Sequence, residues 1–380
     1  MENNITYAGT GVDYDLMDPF KRMAQLAGRK TTANLDEFGF SEVEWSRGES
    51  CYLIETPWGY IGFVVEGLGT KNLVADAFRE ELIQLAVQIE TLTGRTFYEH
   101  VAQCNAAMAF NDIITLGTLP FIYGQYLAVG ESDWFSNEAR CRELIEGTKR
   151  ACMLARCTWG GGETPTLKGI VVPGTADLAG ATVGFAPRDK LIDPINIQHG
   201  DLIIIAESSG IHANGLTLAR EIAGKLDKGY MTKLSDGQTY GEALLEPTHI
   251  YVDLVADCLR SGVDIHYAVN ITGHGWRKLM RATQPFAYVI DELPTQLPIF
   301  DFIQEHGPVD DYESYGNLNM GAGFAIYVPE RDIDKVFDTI NQGARRYRTY
   351  CAGHVERSEM KQVVIKPKGL GYLGKTLGVR

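Results

Sequence analysis

The sequence predicts an α+β protein of two domains, and three observations carry that expectation. The chain has 380 residues, too many for one ordinary core and suited to two units of roughly 150–200 residues. Its composition, 45% hydrophobic and 22% charged, is globular rather than disordered or fibrous. Predicted strands alternate irregularly with predicted helices in both halves, which favours α+β or mixed α/β layers over a doubly wound sheet.

The elements follow in order. Cys51–Glu55 and Tyr60–Val65 are β-prone runs around Thr56-Pro57-Trp58-Gly59, a hairpin signal. Asn72–Leu92 and Glu99–Leu116 read as helices, the second apolar enough to be buried. A strand is expected at Phe121–Val129, a helix at Ser136–Cys157, and strands at Gly169–Val172 and Ala176–Ala186. Pro187-Arg188-Asp189 reads as a domain junction. The second half predicts strands at Asp201–Ala206, His266–Ile271, Ala287–Ile290 and Gly323–Val328. Its helices are expected at Gly215–Gly224, Pro247–Ser261 and Asp332–Gly343.

Charge and cysteine content narrow the function. A net charge of −14 argues against a general nucleic-acid binder. Between Arg345 and Arg380, however, nine Lys/Arg face two Glu. A basic tail of this kind can meet phosphates, but a solvated surface strand and coil explains it more simply. Seven cysteines without a C-x-x-C pair fit neither a disulfide framework nor a thiolate metal site. Reduced cytoplasmic thiols are expected. The N-terminus lacks the pattern of a signal peptide, and no run of 18 apolar residues occurs.

Three acids stand alone in apolar or glycine-rich surroundings. Glu66 is the one charged residue between 56 and 70, Asp112 between 100 and 130, and Glu163 between 157 and 167. An unpaired buried carboxylate costs several kcal/mol, so a proton, a cation or a metal normally neutralises it. Each acid alone is explained by a helix cap or a turn. Together they suggest one shared cluster, because Mg²⁺ takes carboxylates plus substrate phosphates.

Glycine loops add a phosphate-shaped element. Gly67 and Gly69 allow backbone N–H groups close to an anion, Thr70 offers a hydroxyl, and Lys71 opens a predicted helix. The spacing is not that of a P-loop. Ser208-Ser209-Gly210-Ile211-His212-Ala213-Asn214-Gly215 runs from a strand into a helix N-terminus, a layout that also describes an ordinary capped turn. His212 in that loop is read as exposed. It is either a general acid/base, a phosphate contact, or a side chain bonded within its own loop.

Several segments, in order, resemble the aminoimidazole ribonucleotide synthetase (phosphoribosylformylglycinamidine cyclo-ligase) family. Tyr7-Ala8-Gly9-Thr10-Gly11-Val12-Asp13 is similar to its opening, and Glu66-Gly67-Leu68-Gly69-Thr70-Lys71 to its D-G-V-G-T-K. Asn111-Asp112 with Gly117 and Pro120, Gly161-Gly162-Glu163-Thr164 and Asp177-Leu178-Ala179-Gly180 follow in the family's order. So do residues 208–220, Leu244–Val252, Ile271-Thr272-Gly273 and Asn319–Gly323. The sequence departs at Glu66 (Asp in the family), His249 (Arg) and His274 (Gly). Asp36 and Glu37 stand where the family has a glycine-rich segment.

The resemblance implies a two-domain PurM-like fold that forms a homodimer, with the N-terminal sheet pairing across the dimer and a mixed α/β C-terminal domain. The expected division is 1–187 for ATP and metal binding and dimerisation, 188–365 for the second domain, and 366–380 for a basic extension. The implied reaction is ATP-dependent closure of formylglycinamidine ribonucleotide to aminoimidazole ribonucleotide, with Mg²⁺ and possible use of K⁺. Carried over by position, Glu66, Asp112 and Glu163 are metal ligands. Gly67, Gly69, Thr70, Lys71, Asn111, Gly161 and Gly162 bind nucleotide, and Ser209, His212 and Asn214 face the substrate. Lys71, Asp112 and His212 are the expected catalytic residues, with Asp177 joining the metal or substrate shell. Two other readings stay open. One is a different or divergent ATP-dependent member of the superfamily, such as a thiamine-monophosphate kinase-like or selenophosphate synthetase-like enzyme. The other is a non-catalytic nucleotide-binding homodimer. The first cysteine, Cys51 in an apolar strand, disfavours the selenophosphate option.

Overall fold

The hairpin around Pro57 seeds the first of two sheets in the computed structural model, which describes residues 14–86, 94–307, 309–343 and 345–377. Its strands are β1 (Ser41–Glu42), β2 (Tyr52–Thr56), β3 (Gly59–Gly67), β4 (Leu119–Val129), β5 (Thr158–Glu163) and β6 (Ala176–Ala186). They lie in the order β1-β2-β3-β6-β4-β5. Burial alternates along β6, so every second side chain faces inward, as a half-covered sheet requires. The covered face carries α3 (Tyr98–Ile113), almost wholly buried, and behind it α4 (Glu138–Leu154). The other face is uncovered and apolar, with Phe63, Val65, Phe121 and Ile122 all exposed. Helix α1 (Tyr14–Arg29) shows solvent a further apolar stripe of Leu16, Phe20, Met23 and Leu26. Helix α2 (Lys71–Ala86) follows the Glu66–Thr70 loop.

The second sheet holds β7 (Leu202–Glu207), β8 (Tyr267–Asn270), β9 (Phe286–Ile290), β10 (Ala322–Val328), β11 (Thr349–Arg357), β12 (Gln362–Ile365) and β13 (Leu370–Leu373). Their order is β13-β12-β9-β11-β7-β10-β8, all antiparallel neighbours except β12 with β9. Its helices are α5 (Leu216–Ala223), α6 (Tyr240–Leu244), α7 (Val252–Arg260), α8 (Pro298–His306), α9 (Asp311–Asn317) and α10 (Ile333–Asn341). The mixture of helix and sheet in both halves is the α+β class expected.

Three local expectations need correction, and one strand was not expected. Gly169–Val172 is no strand: it makes one isolated bridge, Lys168 with Val171, and leaves Ile170 and Val172 exposed between Gly169 and Gly174, both at positive φ. The helix expected from Pro247 starts at Val252, because residues 246–251 are irregular and their backbone is bonded to side chains of α3. There the Gln103 side chain donates to Thr248 O at 2.9 Å. The glycine run 160–162 is a strand, β5, parallel to β4, where a Cβ on Gly162 would stand 1.9 Å from Gln125 O. The basic C-terminal region, expected as a solvated surface strand and coil, is three strands of the second sheet with short turns between them. Strand β11 lies inside the sheet, while Lys366 pairs with Asp291 at 2.7 Å and Lys368 with Asp311 at 3.0 Å. The Tyr7–Asp13 motif and residues 87–92 of the expected second helix lie outside the described residues.

Candidate active site

Strand β3 ends in the glycine loop because Leu68 plugs inward, its N–H donating to Leu178 O at 2.9 Å, while Gly67 stays open to solvent. Gly69 takes φ +77°, a left-handed conformation that favours glycine. Across from it lies the second loop: a Cβ on Gly69 would be 3.9 Å from Ala213 O. Thr70 Oγ1 and Asn214 Nδ2 are both buried and have no hydrogen-bond partner among the described residues. Buried polar groups are normally paired, so both atoms keep hydrogen-bonding capacity for a ligand or a water.

Lys71 does not join them. Its ammonium is fully buried and donates to His212 O at 2.8 Å and Glu246 O at 2.7 Å. It thus ties the glycine loop to the second half instead of projecting toward a phosphate. Asn111 is likewise committed: Nδ2 donates to His249 O at 2.8 Å, and Oδ1 accepts from Tyr251 N at 2.9 Å. Both residues depart from the nucleotide contacts expected of them and instead clamp the two halves.

His212 is buried, not exposed, and sits at φ +60°. Its Nε2 accepts from Ser209 N at 3.2 Å. Burial, then the neighbouring His249 and Lys71, hold its pKa well below the usual histidine value. A neutral ring bonded within its own loop is the reading that survives, and the solvent-facing acid/base is corrected. Ser209 donates its hydroxyl to Pro247 O at 2.6 Å. His249 packs against Tyr347 with ring centres 5.4 Å apart, and burial together with Arg346 lowers its pKa to about 4. Asp36 and Glu37 are exposed on a short 3-10 turn, Thr32–Phe38.

Glu66 and Asp112 do meet. Glu66 lies on the helix-covered side of β3, and Asp112 on α3 is near enough for its charge to act on it. Burial, then the Asp112 charge, raises the Glu66 pKa to about 8, with Lys278 and Arg281 opposing. Asp112 Oδ1 accepts from Asn270 Nδ2 at 2.7 Å at the end of β8. Lys278 is buried beside them, donating to Thr272 Oγ1. Its pKa is lowered by burial, while Asp112 and Glu66 pull the other way. Arg281 reaches Gly48 O at 2.8 Å and lies 3.7 Å from the Glu49 carboxylate. Sequence reasoning missed Asn270, Lys278 and Arg281. The available signal was a run of two cations, Arg277-Lys278, inside the otherwise apolar Trp276–Met280 segment.

Glu163 stands apart. The register runs Glu66 to Gly180, Gly180 to Gln125 and Gln125 to Gly162. Three strand spacings of about 4.8 Å put the end of β5 roughly 14 Å from Glu66. Glu163 is exposed and accepts only from the adjacent Thr164 N–H, at 3.1 Å. Among the described residues no three His, Cys, Asp or Glu gather to hold a metal. The three-carboxylate cluster is therefore corrected to a pair. Two carboxylates suit a magnesium ion that arrives with nucleotide phosphates, since such an ion keeps few protein ligands. Gly161 and Gly162 line a separate apolar cavity of about 370 Å³ with Trp134, Phe135 and Trp159. Asp177 projects from the opposite, uncovered side of β6, away from Asp112.

Known proteins resemble the chain over most of its length. Residues 76–186 match the family model "AIR synthase related protein, N-terminal domain", and residues 198–366 match its C-terminal domain. A phosphoribosylformylglycinamidine cyclo-ligase of Methanocaldococcus jannaschii is 33% identical over 89% of both chains. One from Carboxydothermus hydrogenoformans is 29% identical over 95% of this chain and 98% of its own. Among solved structures, ThiL complexed with AMPPCP and TMP has a TM-score of 0.56 at 14% identity, covering 97% of each chain. A chain of the HypE–HypF complex has 0.57 at 13%, covering 87% of this chain and 94% of its own. With the two family matches, these likenesses in structure define the class, a two-domain α+β fold. The chain belongs to the AIR synthase related family, and it is an enzyme of that family.

Proposed function

We propose that the protein uses ATP to close formylglycinamidine ribonucleotide to aminoimidazole ribonucleotide, a step of purine biosynthesis. The carrying observation is the pair of orphaned donors, Thr70 Oγ1 and Asn214 Nδ2, on facing loops, the first of which starts at Glu66, the neighbour of Asp112. The γ-phosphoryl group passes to the formyl amide oxygen, breaking the terminal P–O bond of ATP and releasing ADP. The amidine nitrogen then attacks the activated carbon, and phosphate leaves with the former formyl oxygen. Such a reaction depends on positioning and charge neutralisation.

Gly67, Gly69 and Thr70 contribute N–H and hydroxyl donors to phosphate, and Asn214, with Ser209 on the same loop, orients the ribonucleotide. Glu66 and Asp112 would hold Mg²⁺, which when bound neutralises phosphate charge. Asn270 fixes the Asp112 rotamer by its 2.7 Å bond. The uncovered face of the first sheet, with Phe63, Val65, Phe121 and Ile122 exposed, supports a homodimer formed by a second copy. Seven free cysteines and the absence, among the described residues, of a helix able to cross a membrane support a cytoplasmic setting.

The test is to supply purified protein with formylglycinamidine ribonucleotide, ATP, Mg²⁺ and K⁺ and to quantify aminoimidazole ribonucleotide and ADP. Equal amounts of both products are expected. ATP binding without product would favour the second reading, a nucleotide-binding homodimer without catalysis. That reading draws on Lys71 being consumed in a structural clamp and on Glu163 standing outside the carboxylate pair.

A further inference from the structure

We propose that residues 367–377, just beyond the segment matching the family's C-terminal domain, form a strap that positions the Thr272–Arg281 segment, with Arg277 as its positioning residue. The catalytic part of this inference rests on the function proposed above; the structural part stands on the contacts alone.

The strap is built into the fold. Strand β13 extends the second sheet by pairing antiparallel with β12. Side chains add to the backbone pairing of this edge strand. Tyr372 is 1% exposed, stacks on Tyr312 with ring centres 4.7 Å apart, and donates its hydroxyl to Tyr312 O at 2.6 Å. A Cβ on Gly316 would lie 3.4 Å from the Tyr372 ring, so the ring rests on the backbone of α9. Leu377 is buried in the same core. Lys368 reaches Asp311 at the start of α9 at 3.0 Å.

Arg277 connects this strap to the site. Its Nε donates to Gly316 O at 2.7 Å, one terminal nitrogen to Asn317 Oδ1 at 2.9 Å, and the other to Thr376 O at 2.8 Å. A guanidinium is a rigid planar fork, so three acceptors on α9 and the strap fix its direction. Arg277 lies in the short 3-10 helix Gly275–Met280, one residue before Lys278, which faces Asp112 and Glu66. Thr272, the partner of Lys278, begins the same segment, and Arg281 ends it. Removing the Thr376 carbonyl leaves one arm of the fork without its partner, and the segment carrying Lys278 loses its outer support.

The test compares wild type with a chain ending at Lys366 and with Arg277→Lys, which keeps the charge and loses the fork. Hydrogen exchange of peptides covering residues 267–281 is the first readout, and separated kcat and KM for ATP the second. In both variants, exchange across 272–281 should rise at least about 10-fold while β7 and β10 keep their protection. The corresponding kcat should fall at least about 10-fold with KM for ATP within about 3-fold. Unchanged exchange in 272–281 in Arg277→Lys overturns the strap, and so does a uniform rise across both sheets, which marks general destabilisation. If wild type forms no aminoimidazole product, the catalytic reading fails while the exchange result still decides the strap.

Discussion

Asp112 has the largest expected effect of any single side chain, because it is buried, its charge acts on Glu66 and it is oriented by Asn270. Asp112→Asn should reduce Mg–ATP turnover by at least about 10²-fold, the scale of a lost charge-stabilising group. Steady-state kinetics checks it, and unchanged turnover removes Asp112 from the site. Lys71 should behave differently. Lys71→Met leaves two buried carbonyls, His212 O and Glu246 O, without their donor. A stability loss of about 1.5–3 kcal/mol is expected in urea unfolding, the usual size for hydrogen bonds to a charged group. A variant as stable as wild type would contradict the clamp. The isolated acids were legible in the sequence because apolar neighbours made each conspicuous. The destination of Lys71 was not, since its partners are carbonyls 141 and 175 residues away that carry no side-chain signature.

At the scale of elements, apolar patterning revealed most helices and the β3, β6, β7 and β10 strands; burial alternates along β6 and is continuous through β10. It missed β5, whose three glycines supply no side chains to alternate. It overread Gly169–Val172, an apolar run with no sheet to cover it. The joint between β7 and β8 is a third case that only folding reveals. His266 Nδ1 lies 2.8 Å from Asp201 Oδ2 and Nε2 lies 3.3 Å from Asp264 Oδ2. Burial alone would lower the His266 pKa, but the bond and charge of Asp201, with Asp264, raise it above the usual 6.5. A raised folded pKa contributes stability that is fully present below pH 6.5 and is lost as pH climbs through the folded value. The stability advantage of wild type over His266→Gln should therefore shrink as pH rises from about 6 to 8 in denaturant titrations. An advantage that grows with pH would contradict the pairing.

For the whole molecule, the two sheets are joined by contacts rather than by a linker alone, with Lys71, Gln103 and Asn111 all bonded to residues 212 or 246–251. The uncovered face of the first sheet bears on assembly. Val65→Asp puts a charge amid Phe63, Phe121 and Ile122 and should convert the proposed dimer to monomer in light scattering at micromolar concentration. A dimer that persists unchanged would place the interface elsewhere.

The central claim is that ATP activates the formyl oxygen and that this oxygen leaves as phosphate. Formylglycinamidine ribonucleotide labelled with ¹⁸O at the formyl group tests it most directly. With Mg–ATP and purified protein, one ¹⁸O atom should appear in each inorganic phosphate released, in step with aminoimidazole ribonucleotide. Unlabelled phosphate, or ATP turnover without the imidazole product, would contradict it.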